Sequence, residues 1–231
     1  TALRDSLAAD GVDLSRCLTG NEPTTLSVAS LDADGAATYT FYVDGTADRQ
    51  AEPVPVSGGY AVFGTLSLAL EPASLRYAEA ARLSADAGAV VCLDPNIRPA
   101  FASEKHRLFL RGMLVAVTVL KLSDEEVEFL GDTSHVPVVV TTLGGGGIRV
   151  RAPFGTAEVQ APQVEVADTI GAGDTVMAAL VHQFDARGLD RCALLDLGEE
   201  EWREILDFAA RAAAVTVSRT GADTPYLHEL G

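Results

Sequence analysis

Short apolar runs alternate with helical stretches along this chain, and that alternation admits very few architectures. Residues 89–93 are wholly apolar and stop at Asp94-Pro95-Asn96. Residues 114–120 stop at Lys121-Leu122-Ser123, and residues 138–142 stop at Leu143 and four glycines. Runs this short and this apolar are strands buried in a parallel sheet. Residues 72–86, 103–111 and 123–130 between them have helical character. The expectation is an α/β fold: a doubly wound, mostly parallel sheet with helices on both faces. Ligands in such sheets gather beyond the carboxyl ends of the strands, where this chain has its polar punctuation.

The remaining segments fit this frame. Residues 61–63, ending at Gly64, read as one more buried strand. Residues 27–31 and 37–43 read as a hairpin turning at Asp32–Gly35, with an aromatic second strand that includes Tyr39 and Phe41. Residues 148–151 and 157–160 alternate as a second hairpin. Residues 173–184 are helical, and 201–217 carry Trp202, Ile205, Leu206, Ala209, Ala212 and Ala213 on a 3.6-residue period. Ser123 with Glu126 three residues on is a capping-box pattern. The 231 residues suffice for one domain.

The chemistry concentrates in Asp168-Thr169-Ile170-Gly171-Ala172-Gly173-Asp174-Thr175. Small residues at a helix start leave N–H groups free, and a helix N-terminus favours anions. Asp174 falls in the first turn, where a carboxylate can take the proton of an alcohol while those N–H groups hold the group it attacks. Gly-Ala-Gly-Asp alone reads more readily as an ordinary tight turn packed on a helix. The longer pattern, Asp-Thr-x-Gly-Ala-Gly-Asp-Thr-x-x-Ala-Ala-Leu, resembles the C-terminal signature of the ribokinase-like (PfkB) sugar kinases.

The resemblance extends over nearly the whole chain. Asp94-x-Asn96-x-Arg98-Pro99 and Lys121-x-Ser123-x-x-Glu126 resemble the bacterial fructokinase branch, with Ser123 where most of the family has Asn. It implies that Asp174 is the general base, and that the N–H groups of Gly171, Ala172 and Gly173, with Arg98, hold the transferring phosphoryl. It implies an ATP site along Thr142, Gly144 and Gly147, reached by Lys121 and bordered by Ala209 and Ala212. Asp94, Asn96, Tyr39 and Phe41 would face the sugar, and Glu126 would organise Mg²⁺ indirectly. Asp168, Ile170, Ser218 and Gly221 would border a monovalent cation, K⁺. Residues from about 24 to 46 would form a small β-sheet lid, which in this family also serves dimer contact. The implied activity is transfer of the γ-phosphoryl of ATP to a primary hydroxyl of a ketose, most simply fructose. A 2-keto-3-deoxygluconate kinase, a ribokinase, and a catalytically silent sugar- or nucleotide-binding regulator remain alternatives.

Several classes fall away. Seventeen Lys and Arg against 33 Asp and Glu give a net charge of −16, which opposes binding to nucleic acid or anionic lipid. Cys17, Cys92 and Cys192 are scattered without metal-ligand spacing, as expected in a reducing, cytoplasmic setting. No P-loop is present. The chain starts at Thr1 without an initiator Met, and the family's first strand and sugar-gripping segment have no counterpart here. Residues 49–60 and 131–137 are also short against the family pattern. Omission of residues is the expected reason.

Overall fold

The computed structural model describes residues 2–31 and 37–230, and the side chains of 29–39 are outside the description. Strands β1 (Leu26–Leu31) and β2 (Ala37–Tyr42) pair antiparallel in a separate two-stranded sheet. The turn expected at Asp32–Gly35 lies outside the described residues. The main sheet has six strands in the order β3 (Tyr60–Gly64), β4 (Val90–Asp94), β5 (Val119–Ser123), β6 (Val138–Thr142), β7 (Ile148–Ala152) and β8 (Gly155–Val159). Strands β3 to β6 are parallel, while β7 and β8 join antiparallel.

Strands β3 to β6 step steadily across the sheet. With right-handed crossovers, that order puts every connecting helix on one face. Those helices are α2 (Ala73–Asp86), α3 (Glu104–Met113) and α4 (Asp124–Leu130). The other face is covered only after β8, by α5 (Ala172–Ala186), α6 (Arg191–Leu195) and α7 (Glu199–Val217). Two cores result, and strand alternation divides the side chains between them. Val90, Cys92, Val119, Val138 and Val140 pack with Phe184, Trp202 and Ile205. Val91, Leu93, Leu120, Leu122 and Val139 pack with Leu110, Met113 and Leu130. Ahead of the sheet, α1 (Ala2–Ala9) buries none of its residues.

Two details depart from the sequence reading. The apolar run 114–120 is not one strand: Leu114–Ala116 form a 3₁₀ turn continuing α3, and β5 begins at Val119. Leu114 and Val117 are buried nonetheless, so the run is apolar because the core demands it, not because all of it is sheet. Helix α6 was not expected. Asp190 caps it by accepting a hydrogen bond from the Ala193 N–H at 2.9 Å.

The glycine run after β6 turns the chain back into β7. The N–H of Leu143 donates to the Gly147 carbonyl at 2.9 Å. Gly147 has φ +107°, and a Cβ there would stand 1.9 Å from the Val159 carbonyl oxygen. Both conditions exclude a side chain. Gly147→Ala is therefore expected to cost more than about 2 kcal/mol of stability, read by urea unfolding as a lower midpoint with an unchanged slope.

Candidate active site

The parallel register builds the centre of the site. Cys92 lies beside Val119 and Leu93 beside Leu120, so the next step brings Asp94 beside Lys121 at the carboxyl ends of β4 and β5. Both side chains fall on the α5 face, the parity shared with Cys92 and Val119. They form a buried ion pair, with Lys121 Nζ 2.7 Å from Asp94 Oδ2 and the side chains 5% and 7% exposed. Burial pushes the Asp94 carboxyl up and the Lys121 charge opposes that shift, while Glu126 and Asp174 add to the rise. The ammonium also lies against α5: a Cβ on Gly173 would be 2.7 Å from it. Gly173 is thus in close contact with the charge, and a larger residue there would push the ammonium aside.

Helix α5 starts as the sequence implies. Gly171 is its N-cap in the left-handed region at φ +80°, and no side chain caps the helix. The Thr175 N–H makes the first strong helical bond, to the Gly171 carbonyl at 2.8 Å, and Ala172 donates only weakly to Thr169 at 3.4 Å. The N–H groups of Gly173 and Asp174 have no acceptor among the described residues. Thr175 Oγ1 pairs with Thr216 Oγ1 at 2.8 Å and locks α5 to α7. Asp174 is exposed at this end.

Two of the cavities lie at the start of α5, one lined by Gly173 and the other by Asp174. The first, of about 350 Å³, is lined by Thr142, Gly144, Gly145 and Gly147 on one side and Ala172 and Gly173 on another. Val176, Ala210, Ala213, Ala214 and Val217 supply an apolar wall. The second, of about 510 Å³, is lined by Asp94, Asp174, Gly64, Thr65, Phe63 and Met177, among others. A helix start with unpaired donors and a carboxylate therefore stands beside two mostly apolar cavities.

The expected residues fare differently. Thr142, Gly144 and Gly147 line the first cavity. Ala209 and Ala212 do not: they are 0% and 2% exposed and belong to the core. The cleft-facing positions on α7 are Ala210, Ala213 and Ala214, because the apolar period through Trp202, Ile205, Leu206, Ala209 and Ala212 is the face the helix turns to the core. Lys121 is buried beneath the site, paired with Asp94, and does not line the cleft. Arg98 is exposed, its guanidinium held by Asn96 Oδ1 at 2.5 Å, and it lines neither cavity. Asn96 itself is held at φ +46°. Glu126 completes the capping box with Ser123. Its two oxygens accept from the N–H groups of Ile97 at 2.6 Å and Ser123 at 2.8 Å, so it staples the loop after β4 to the start of α4. Phe41 packs on Phe101, ring centroids 5.3 Å apart, which places β2 against that same loop. The Tyr39 side chain lies outside the described residues. The loop that supplies Gln163, Val164 and Val166 to the cleft was missed, since nothing in its composition marks it.

Asp168 joins the residues expected around a monovalent cation. Its Oδ1 accepts from Ile170 N–H at 2.9 Å and its Oδ2 from Gly221 N–H at 3.0 Å, across 53 residues. Those hydrogen bonds, with Ile170 first, hold its carboxyl below the ordinary carboxylate value. Among the described residues no cluster of three or more His, Cys, Asp or Glu side chains forms a metal cage.

The buried pair makes a quantitative prediction. Lys121→Met leaves Asp94 buried and uncompensated and should cost about 3–5 kcal/mol. Adding Asp94→Asn should return most of that loss, as chemical denaturation of the single and double variants would show.

Comparison with known proteins agrees with this geometry. A sequence model of the pfkB family carbohydrate kinases matches residues 1–229. A fructokinase from Rhizobium leguminosarum bv. trifolii is 33% identical over 198 residues, covering 78% of this chain and 60% of the relative. A probable fructokinase-2 from Arabidopsis thaliana is 29% identical, covering 86% of this chain and 65% of the relative. The chain thus spans less than two thirds of the length of these two curated relatives. The crystal structure of a Xylella fastidiosa fructokinase with bound ATP superposes with a TM-score of 0.85 at 25% identity, over 99% of this chain and 79% of that one. An aminoimidazole riboside kinase from Salmonella enterica shares the fold, with a TM-score of 0.82 at 22% identity over 99% of this chain and 80% of that one. The fold is ribokinase-like, and with a family match that runs almost end to end, this chain belongs to the pfkB family of carbohydrate kinases.

Proposed function

We propose that this chain is an ATP-dependent sugar kinase that phosphorylates a primary hydroxyl of a ketose, with fructose as the substrate. The observation that carries the reading is the placement of Asp174. It is exposed in the first turn of α5, next to the unpaired N–H groups of residues 173 and 174, with a cavity on either side. The relatives described as fructokinases, and the Xylella enzyme described with bound ATP, support it.

The chemistry follows from charge. The apolar wall of Val176, Ala213 and Ala214 suits a flat heterocycle, and the Gly144–Gly147 turn lets backbone approach the phosphate chain closely. The γ-phosphoryl would lie at the start of α5, where N–H donors and the helix dipole meet negative charge. The ketose would occupy the second cavity. Asp174 takes the hydroxyl proton, the oxygen attacks phosphorus in line, and the bond to the β-phosphate breaks to release ADP. The global charge of −16 repels nucleotide, so these local donors must supply the attraction. Mg²⁺ would enter with the ATP phosphates, since the residues here offer no cage of their own. Glu126 contributes by holding two turns in place. Asp168 and the carbonyls near Ser218 and Gly221 suit K⁺, whose role would be to add positive charge behind the anion site.

The lid carries a second proposed interaction. Leu26, Val28 and Tyr42 expose 56%, 46% and 58% of their surface on one face of the hairpin, and we assign this face to contact with a second copy of the chain. Among the described residues no helix is long and apolar enough to cross a membrane.

A coupled ADP-release assay with ATP, Mg²⁺, K⁺ and fructose tests the activity. Asp174→Asn should lower kcat about 10²–10⁴-fold, the usual contribution of a general base, with ATP affinity nearly unchanged. Replacing K⁺ by a bulky organic cation should slow the wild type. Loss of ATP binding in the variant would contradict the assigned role, and ATP binding by the wild type without any turnover would favour the silent regulator.

A further inference from the structure

The segment between β8 and α5 runs beside α7 and forms part of the apolar cleft. At its start the Glu158 carbonyl accepts from Arg203 Nη1 at 2.7 Å. Further on, Pro162 and Ala210 line the same cavities. At its end the Ala167 N–H donates to the Val217 carbonyl at 2.8 Å. The segment therefore climbs α7 towards the carboxyl end of that helix. That end adjoins the start of α5: Thr175 Oγ1 meets Thr216 Oγ1 at 2.8 Å, and a Cβ on Gly171 would stand 3.1 Å from the Ala222 Cβ. Helix α7 rises about 10 Å from Ala210 to Val217. Gln163, next to Pro162, thus lines the cleft at the end remote from the start of α5.

The cleft offers few side chains that can make hydrogen bonds. No charged side chain is among the described residues lining it, and Thr142, Gln163 and Thr169 supply the polar ones. Thr142 Oγ1 already donates to the Leu122 carbonyl at 3.3 Å. Thr169 stands where α5 begins, its carbonyl accepting from the Ala172 N–H. Gln163 is exposed, and its amide has no hydrogen-bond partner among the described residues. A primary amide presents a donor and an acceptor side by side, the pattern that pairs with one edge of a purine base. Half a turn about its terminal torsion exchanges the two. One orientation suits the amino group and N1 of adenine, and the other suits the carbonyl and N1–H of guanine. No neighbouring group fixes the choice at Gln163.

We infer that Gln163 reads the base edge of the phosphoryl donor and, free to turn over, accepts 6-oxo as well as 6-amino purines, so that GTP serves alongside ATP. The inference rests on the kinase reading for placing a nucleotide in this cleft, and it deepens that reading by naming the class of donor. A site that held a hydrogen-bonding group in one fixed orientation would reject the wrong purine steeply. Here the base meets an apolar wall and one unanchored amide.

Calorimetric titration tests this with ADP, GDP and the diphosphate of unsubstituted purine riboside, against the wild type, Gln163→Leu and Gln163→Glu. The Gln163 side chain is exposed and holds no other residue, so both variants should fold. The wild type should bind ADP and GDP within about tenfold of each other, and both more tightly than the unsubstituted purine. Gln163→Leu should bind all three nearly alike, because the interaction is gone. Gln163→Glu presents acceptors only. Guanine donates to it from N1–H and the 2-amino group, whereas adenine N1 has no proton to give. The ratio of GDP to ADP affinity should therefore rise about tenfold or more over the wild type. Repulsion between the added charge and the phosphates weakens every titrant and cancels in that ratio. If the three proteins share one ratio, Gln163 does not read the base and the inference is wrong. A wild-type preference for ADP beyond about a hundredfold also overturns it. Either result, with ATP still turned over on fructose, leaves the kinase reading standing. Failure of the wild type to bind any of the three nucleotides overturns both.

Discussion

The Asp94–Lys121 ion pair at the ends of β4 and β5 is the interaction on which the rest of this site depends. Taking two charges out of water is expensive, and the chain does so where the parallel register brings two α5-facing positions side by side. Helix α5 then closes over the ammonium, with Gly173 packed directly against it. The start of α5, with its unpaired N–H groups and Asp174, is thereby held at a defined height above the sheet. Both cavities take their position from that contact, since one is lined by Gly173 and the other by Asp174 and Asp94.

Around this centre the loops are fastened by carboxylates that accept backbone N–H groups. Glu126 ties the loop after β4 to the start of α4. Asp168 ties the loop before α5 to the turn after α7. Each draws together segments far apart in sequence, and each leaves the strand ends open for ligands. The net charge of −16 opposes any anionic ligand, and the local features that oppose it in turn are the unpaired N–H groups at the start of α5 and the backbone of the glycine turn.

Much of this was legible in the sequence because it is local. Strand β6 spans Val138–Thr142, the capping box at Ser123 and Glu126 is formed, and α5 begins at the small-residue run. Each follows from composition or spacing within a few residues. What was misread depends on tertiary packing. Ala209 and Ala212 lie on the apolar period that the core takes up, and which neighbouring alanines, Ala210 and Ala213, reach the cleft depends on where the glycine turn and the 161–166 segment pack against α7. The buried state of Lys121 depends on β4 pairing with β5 in one register, and the 161–166 segment reaches the cleft through tertiary packing after β8 that its composition does not mark.

The most direct measurement is a crystal structure of this chain with a non-hydrolysable ATP analogue and fructose. The account predicts the adenine against Ala213 and Ala214, the terminal phosphoryl within hydrogen-bond distance of the Gly173 N–H, and a ketose hydroxyl between that phosphoryl and Asp174. Nucleotide density away from the Gly144–Gly147 turn, or a phosphoryl group remote from the start of α5, would contradict it.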